Sequence, residues 1–126
     1  MIPGKAALVL GLLVALAGCG PERTKTVPNA LIGVWKTTAP DYADRFLEIS
    51  RDTIRFGTGG DESYVRSIVG VEKVLENGRT VYTIVYIDPA DPGKYQYKVA
   101  FYYDPGNQGV IRYKNRKDMA LTKTSP

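Results

Sequence analysis

The 126-residue chain has no histidine, one cysteine and one tryptophan. Without imidazole there is no histidine-based catalytic triad, and a zinc site would lack the nitrogen ligands that metal favours. A single cysteine closes no internal disulfide. Long apolar sequence is missing too: the run from Ala6 to Ala17 (AALVLGLLVALA) is well short of the ~20 apolar residues that a bilayer-spanning helix needs. Nor does one sign of charge dominate. The 17 Lys and Arg face 13 Asp and Glu, and along most of the chain the signs interleave. A nucleic-acid binder concentrates its positive charge on one face, so nucleic acid is not an expected partner.

What the chain does have begins at its amino terminus. Met1 and Lys5 supply positive charge ahead of the apolar run, and small residues follow, which is the pattern of a secretory signal peptide over residues 1–18. The run ends in Leu16-Ala17-Gly18-Cys19, which resembles the lipobox of bacterial lipoproteins. In that family the cysteine sulfur receives a diacylglyceryl group, the preceding peptide is removed, and the new amino terminus is usually acylated as well. The resemblance therefore implies a lipidated Cys19, palmitate-type chains and a partner that is the membrane itself. At ~0.8 kcal/mol per buried methylene, two or three acyl chains hold such a protein permanently. Gly20 follows the cysteine, not the aspartate that marks inner-membrane retention, so in a Gram-negative cell the expected location is the outer membrane, facing the periplasm.

From Gly20 to Asn29 (GPERTKTVPN) the chain is polar, carries two prolines and has no apolar period. Residues 19–29 are expected to be the lipidated cysteine and a tether, about ten residues reaching at most ~35 Å. Residues 30–123 then form one small domain. Removing the signal peptide leaves 16 basic and 13 acidic side chains, a mild excess.

Within the domain the apolar period is two almost everywhere, and turn chemistry recurs at short intervals. Asn77-Gly78, both residues tolerant of positive φ, predicts a type I′ hairpin. With the other breaks it delimits eight expected strands, at 33–38, 45–49, 53–56, 63–76, 79–87, 94–103, 109–114 and 118–123. One helical turn is expected at 40–45, where Pro40 and Asp41 suit a helix start. The expected fold is all-β with little helix: a small antiparallel up-and-down barrel.

Alternation in the fourth of these strands places Val65, Val69, Val71 and Leu75 on one face, with Tyr64, Arg66, Glu72 and Glu76 on the other. The next two strands are apolar on both faces. Val81, Val85 and Ile87 oppose Tyr82, Ile84 and Tyr86, and Tyr95, Tyr97, Val99, Phe101 and Tyr103 form a continuous stripe. Two readings fit: tyrosines covering the outside of a central pair, or a tyrosine-lined binding surface.

Gly33-Val34-Trp35, after Leu31-Ile32, resembles the Gly-x-Trp that opens the first strand of lipocalin-like barrels. The resemblance implies that Gly33 permits a tight chain entry and that Trp35 closes the barrel floor, beneath a basic residue from a late strand. Arg112, Lys114 and Lys123 are the candidates. A tryptophan in another kind of β-sandwich core is the competing interpretation. The 91 residues from Gly33 to Lys123, shared among eight strands, give short strands and an interior filled by side chains or holding one small ligand.

The charged clusters have plain explanations. Asp61-Glu62 after Gly57-Thr58-Gly59-Gly60 lacks the lysine and helix of a P-loop, and Asp88 to Gly93 lacks the alternating oxygen ligands of a calcium loop. Asp41 and Asp44 suit equally the flank of a pocket mouth or a solvated loop, and Arg112 to Lys117 (RYKNRK) is either a solvated hairpin or a contact to anionic headgroups or peptidoglycan. With no imidazole and the only thiol committed to lipid, the expectation is not an enzyme, and no cofactor is implied. It is a lipid-anchored cell-envelope binding module for a small apolar or aromatic ligand or peptide, with Trp35, Tyr82, Tyr86, Tyr95, Tyr97 and Phe101 as binding candidates. The other expectation is a structural or inhibitory envelope lipoprotein that presents its loops to a partner protein. Replacing Cys19→Ser should abolish palmitate labelling and release the protein from the membrane fraction; a serine variant that still labels would disprove the lipobox.

Overall fold

A chain of short alternating segments buries its apolar faces by rolling a meander into a cylinder, and that is what it forms. The computed structural model describes residues 22–91, 93 and 95–124; the signal peptide, Cys19 and the first two residues of the expected tether lie outside them. The strands are β1 (Glu22–Thr24), β2 (Gly33–Lys36), β3 (Phe46–Ile49), β4 (Thr53–Gly59), β5 (Glu62–Glu76), β6 (Arg79–Ile87), β7 (Tyr97–Asp104), β8 (Val110–Tyr113) and β9 (Arg116–Lys123). From β2 to β9 each strand pairs antiparallel with the next, and β9 returns to β2, closing an eight-strand barrel. Among the described residues helix is confined to three 3-10 turns, Asn29–Leu31, Pro40–Tyr42 and Gly106–Gln108. The second lies in the stretch expected to form a helical turn.

All eight expected strands are present, with shifted ends: β4 extends to Gly59 and β7 starts at Tyr97. At the β5–β6 turn Asn77 (φ 52°) and Gly78 (φ 79°) both have positive φ, as a type I′ turn requires, and Glu76 pairs with Arg79.

The start of the domain differs from expectation. β4 covers the edge of β5 only from Glu62 to Ser67, and β1 covers the same edge further on, pairing Glu22, Arg23 and Thr24 with Lys73, Glu72 and Val71. Val27 is 5% exposed and joins the core. The expected tether is therefore largely part of the domain. An uncovered strand edge offers unpaired amides and carbonyls, and any extended residues satisfy them whatever their side chains. Polarity in this segment marks the outer side of an edge strand.

The face assignment along β5 also needs correction. Its register to β6 shifts between Ile68 and Gly70, so Val69 is an extra residue that reverses the alternation. Ile68 and Val71 both point into the core cluster, while Leu75 is 73% exposed. The tyrosine stripe divides: Phe101 is fully buried in the core with Val99 and Tyr103 packed against it, whereas Tyr97 and Tyr95 are exposed.

The core is densest at one end. Leu31, Trp35, Leu47, Ile54, Ile84, Phe101 and Ile111 have no exposed surface, each burial worth about 1.5–3 kcal/mol. The Trp35 indole Nε1–H donates to the Leu31 carbonyl at 2.9 Å, tying the Asn29–Leu31 turn beneath the barrel as a floor. Of the three candidate cations, Lys123 is the one over Trp35, its Nζ 5.4 Å from the ring. Arg112 instead donates to the Lys117 carbonyl, and Lys114 pairs with Glu76. At Gly33 (φ 147°) a Cβ would sit 3.3 Å from the Lys123 side chain, in a backbone conformation L-residues rarely adopt. Gly33→Ala should therefore cost about 1–3 kcal/mol, read as a lower urea midpoint at unchanged m-value.

Candidate mouth cavity

In an up-and-down barrel, alternate connections lie at opposite ends. The turns 50–52, 77–78 and 105–109 share the floor end, and the connections 37–45, 60–61 and 114–115, with the end of β6 and the start of β7, surround the other. There the side chains separate to leave a cavity of about 330 Å³. Its inner wall includes Phe56, Tyr64, Tyr113, Met119 and Leu121, and its rim includes Tyr42, Arg45 and Arg116.

The rim is braced. The Arg116 guanidinium donates to the Tyr42 hydroxyl at 3.2 Å and lies 3.6 Å from the Asp118 carboxylate. The Tyr42 hydrogen bond, ahead of the Asp118 charge, holds the Arg116 pKa above its ordinary value. Arg45 and Arg116 both lie over the Tyr42 ring, at 4.9 and 5.5 Å. Across the opening, the Asp44 carboxylate accepts the Gly60 N–H at 3.1 Å, joining the β2–β3 and β4–β5 connections. Gly57 is glycine for a local reason: a Cβ there would overlap the Phe46 ring.

A ladder of aromatic rings runs from the wall to the surface. Phe56 stacks on Tyr64 (5.1 Å between centroids) and leans on Tyr86 (5.5 Å), Tyr86 stacks on Tyr97 (5.5 Å), and Tyr95 meets Tyr97 at 6.3 Å. Arg66 lies 4.5 Å over Tyr64 and 3.9 Å from Asp88.

The six binding candidates thus divide. Trp35 and Phe101 are fully buried and Tyr82 is 6% exposed, so these three fill the core and line no opening. Tyr86, Tyr97 and Tyr95 come together in the ladder beside the mouth, the last two exposed. None of the six lines the cavity; Tyr42, Phe56, Tyr64, Tyr113 and Met119 do. Tyr64, expected on the solvent side of β5, is 41% exposed and lines the open cavity with its ring against Phe56. The signal for it was the cross-strand pair it forms with Phe56, visible only once the β4–β5 register is known. Among the described residues no group of three or more His, Cys, Asp or Glu side chains is placed to hold a metal ion.

Comparison of the chain with protein-family models, with curated proteins and with solved structures finds no match.

The electrostatic character of the wall is read most directly at Tyr113. Burial, reinforced by Tyr64 and Tyr86, pushes its phenol up to about 12. Tyr86 is raised as well, again first by burial. A folded phenol that holds its proton more tightly than an unfolded one, whose pKa is ~10, stabilises the fold fully below pH 10 and loses that contribution as the pH rises towards 12. Ultraviolet titration should show one tyrosine ionising near pH 12 that Tyr113→Phe removes, and the same variant should move alkaline unfolding to higher pH.

Proposed function

We propose that this is a lipid-anchored binding module of the bacterial cell envelope that takes a small apolar or aromatic ligand into its mouth cavity. The observation carrying this is the cavity itself: about 330 Å³, walled by Phe56, Tyr64, Tyr113 and Met119 and open between braced loops. That volume is at the small end of the ~300–1,000 Å³ range of ligand sites, and an apolar wall with a few polar groups at the rim is their usual composition. Burial raises the Tyr113 phenol, consistent with an apolar setting at that point of the wall. Binding is favoured over catalysis because the chain has no imidazole and its one thiol is assigned to lipid. Gly33-Val34-Trp35 at the head of a closed barrel supports a lipocalin-like relationship, and Leu16-Ala17-Gly18-Cys19 supports lipidation and an outer-membrane location in a Gram-negative cell.

A second reading, a structural or inhibitory lipoprotein acting through its loops, draws on the filled floor and on the Asp44–Gly60 and Arg116–Tyr42 contacts that stiffen the connections. The two separate in one experiment. Full-length protein extracted in mild detergent is titrated with 2-naphthol while the Met119 methyl resonance is followed. Saturable shifts at Met119, weakened about tenfold by Thr58→Trp at the cavity rim, are expected for a ligand site of this size. Unmoved Met119 at saturating naphthol, with no small molecule seen by native mass spectrometry, would overturn the cavity reading in favour of the loops.

A further inference from the structure

The position of β1 fixes how far the domain can stand from its anchor. Glu22 pairs with Lys73, and only Gly20 and Pro21 separate it from Cys19. Three residue steps span at most ~11 Å, so Cys19 lies within that distance of Glu22. Leu75 is two residues beyond Lys73 on β5, a further ~7 Å. The tip of the β5–β6 hairpin is therefore held within reach of any lipid attached to Cys19.

That tip has the composition of a surface in contact with lipid. Leu75, 73% exposed, is the most open of the large hydrophobics among the described residues. Lys73 and Arg79 flank it. On the outer barrel face beside it, Arg79 lies 4.1 Å over the Tyr102 ring and Lys117 5.7 Å over the same ring. Arg112 joins them by donating to the Lys117 carbonyl at 3.0 Å. Beneath these stems Val81 and Tyr102 are 3% and 8% exposed, outside the core cluster. The acidic side chains nearby are Glu22, Asp104, Glu72, paired with Arg23 at 3.7 Å, Glu76, paired with Lys114 at 3.1 Å, and Asp118, paired with Arg116 at 3.6 Å. Basic groups remain in excess. An apolar tip ringed by long cations, with stems over apolar surface and charges free to reach outward, suits the boundary between acyl chains and anionic headgroups.

We infer that the β5–β6 hairpin tip, Leu75 with Lys73 and Arg79 beside it, rests on the anionic membrane surface that holds Cys19, with the 60–61 connection of the mouth held away at the far end of β5. The hairpin tip is at the floor end of the barrel and the cavity at the other. The seat needs little affinity of its own, because the anchor keeps the tip at high effective concentration beside the lipid. This inference rests on the lipidation of Cys19 proposed above.

The test uses the full-length protein carrying Leu75→Cys, where acylation of Cys19 leaves the new cysteine as the free thiol. A nitrobenzoxadiazole dye is attached, the protein is reconstituted into vesicles of phosphatidylethanolamine and phosphatidylglycerol, and Asp61→Cys at the mouth serves as the control. The label at 75 is expected to emit blue-shifted, with about a twofold gain in intensity and quenching by doxyl-labelled lipid, and the label at 61 to show none of these. Adding Lys73→Glu and Arg79→Glu should remove most of the gain at 75. Intact mass separates the two failures. Acylated protein whose label at 75 is as wet as that at 61 overturns the seating alone; unacylated protein overturns the anchor and the seating together.

Discussion

The first and last barrel strands meet at only two paired positions, Trp35 with Lys123 and Lys36 with Thr122, against nine between β5 and β6. One further backbone bond, from the Thr124 N–H to the Val34 carbonyl at 2.9 Å, completes the seam. So short a ladder needs side chains to hold it. The Trp35 indole from one strand lies beneath the Lys123 ammonium of the other, an interaction worth about 0.5–2 kcal/mol, and the Lys123 methylenes cover the gap left by Gly33. Opening the seam would expose two strand edges and the largest buried side chain in the core at once. The barrel, its filled floor and its mouth all follow from that one junction.

How much of this was legible in the sequence depends on whether a feature is local. The Asn77-Gly78 turn is set by two residues' tolerance of positive φ, and it stands where it was expected. Breaks at the other turns marked the number and order of the eight barrel strands for the same reason. Trp35 was legible as a floor residue through the Gly-x-Trp resemblance, but its cation was not, because Lys123 is chosen by register and not by any property that Arg112 or Lys114 lacks. β1 was hidden because backbone pairing needs no apolar side chain: Glu22, Arg23 and Thr24 read as tether and are strand.

The mouth was hidden for a sharper reason. Strict alternation along β5 puts Val65 and Val71 on one face, and a single extra residue at Val69 undoes it, since each slip of one exchanges every side chain between faces. Ahead of the bulge, even-numbered residues turn inward, which brings Tyr64 against Phe56 and Arg66 over Tyr64. Gly70, beside the bulge in the interior of β5, was its one compositional mark, and a strand glycine does not fix which residue is extra, so the aromatic wall could not be assembled from periodicity alone. Of the tyrosines that were legible, Tyr82 belongs to the core, while Tyr86, Tyr97 and Tyr95 stand in the ladder beside the mouth and line no part of the cavity.

Strand length then divides the interior. A four-residue strand such as β3 or β8 spans ~13 Å and turns only two side chains inward. On β8 these are Ile111, fully buried, and Tyr113, in the cavity wall; on β4 the corresponding pair is Ile54 and Phe56, and on β9 Leu121 and Met119. One layer is consumed by the floor, whose close packing with Trp35 and Phe101 closes the barrel. The other has no layer above it to pack against, so its rings tilt apart and leave the opening. A barrel this short cannot house a deep calyx without giving up the core that keeps it folded, and any ligand it takes is confined to the depth of a single layer of side chains beneath Tyr42 and its two arginines.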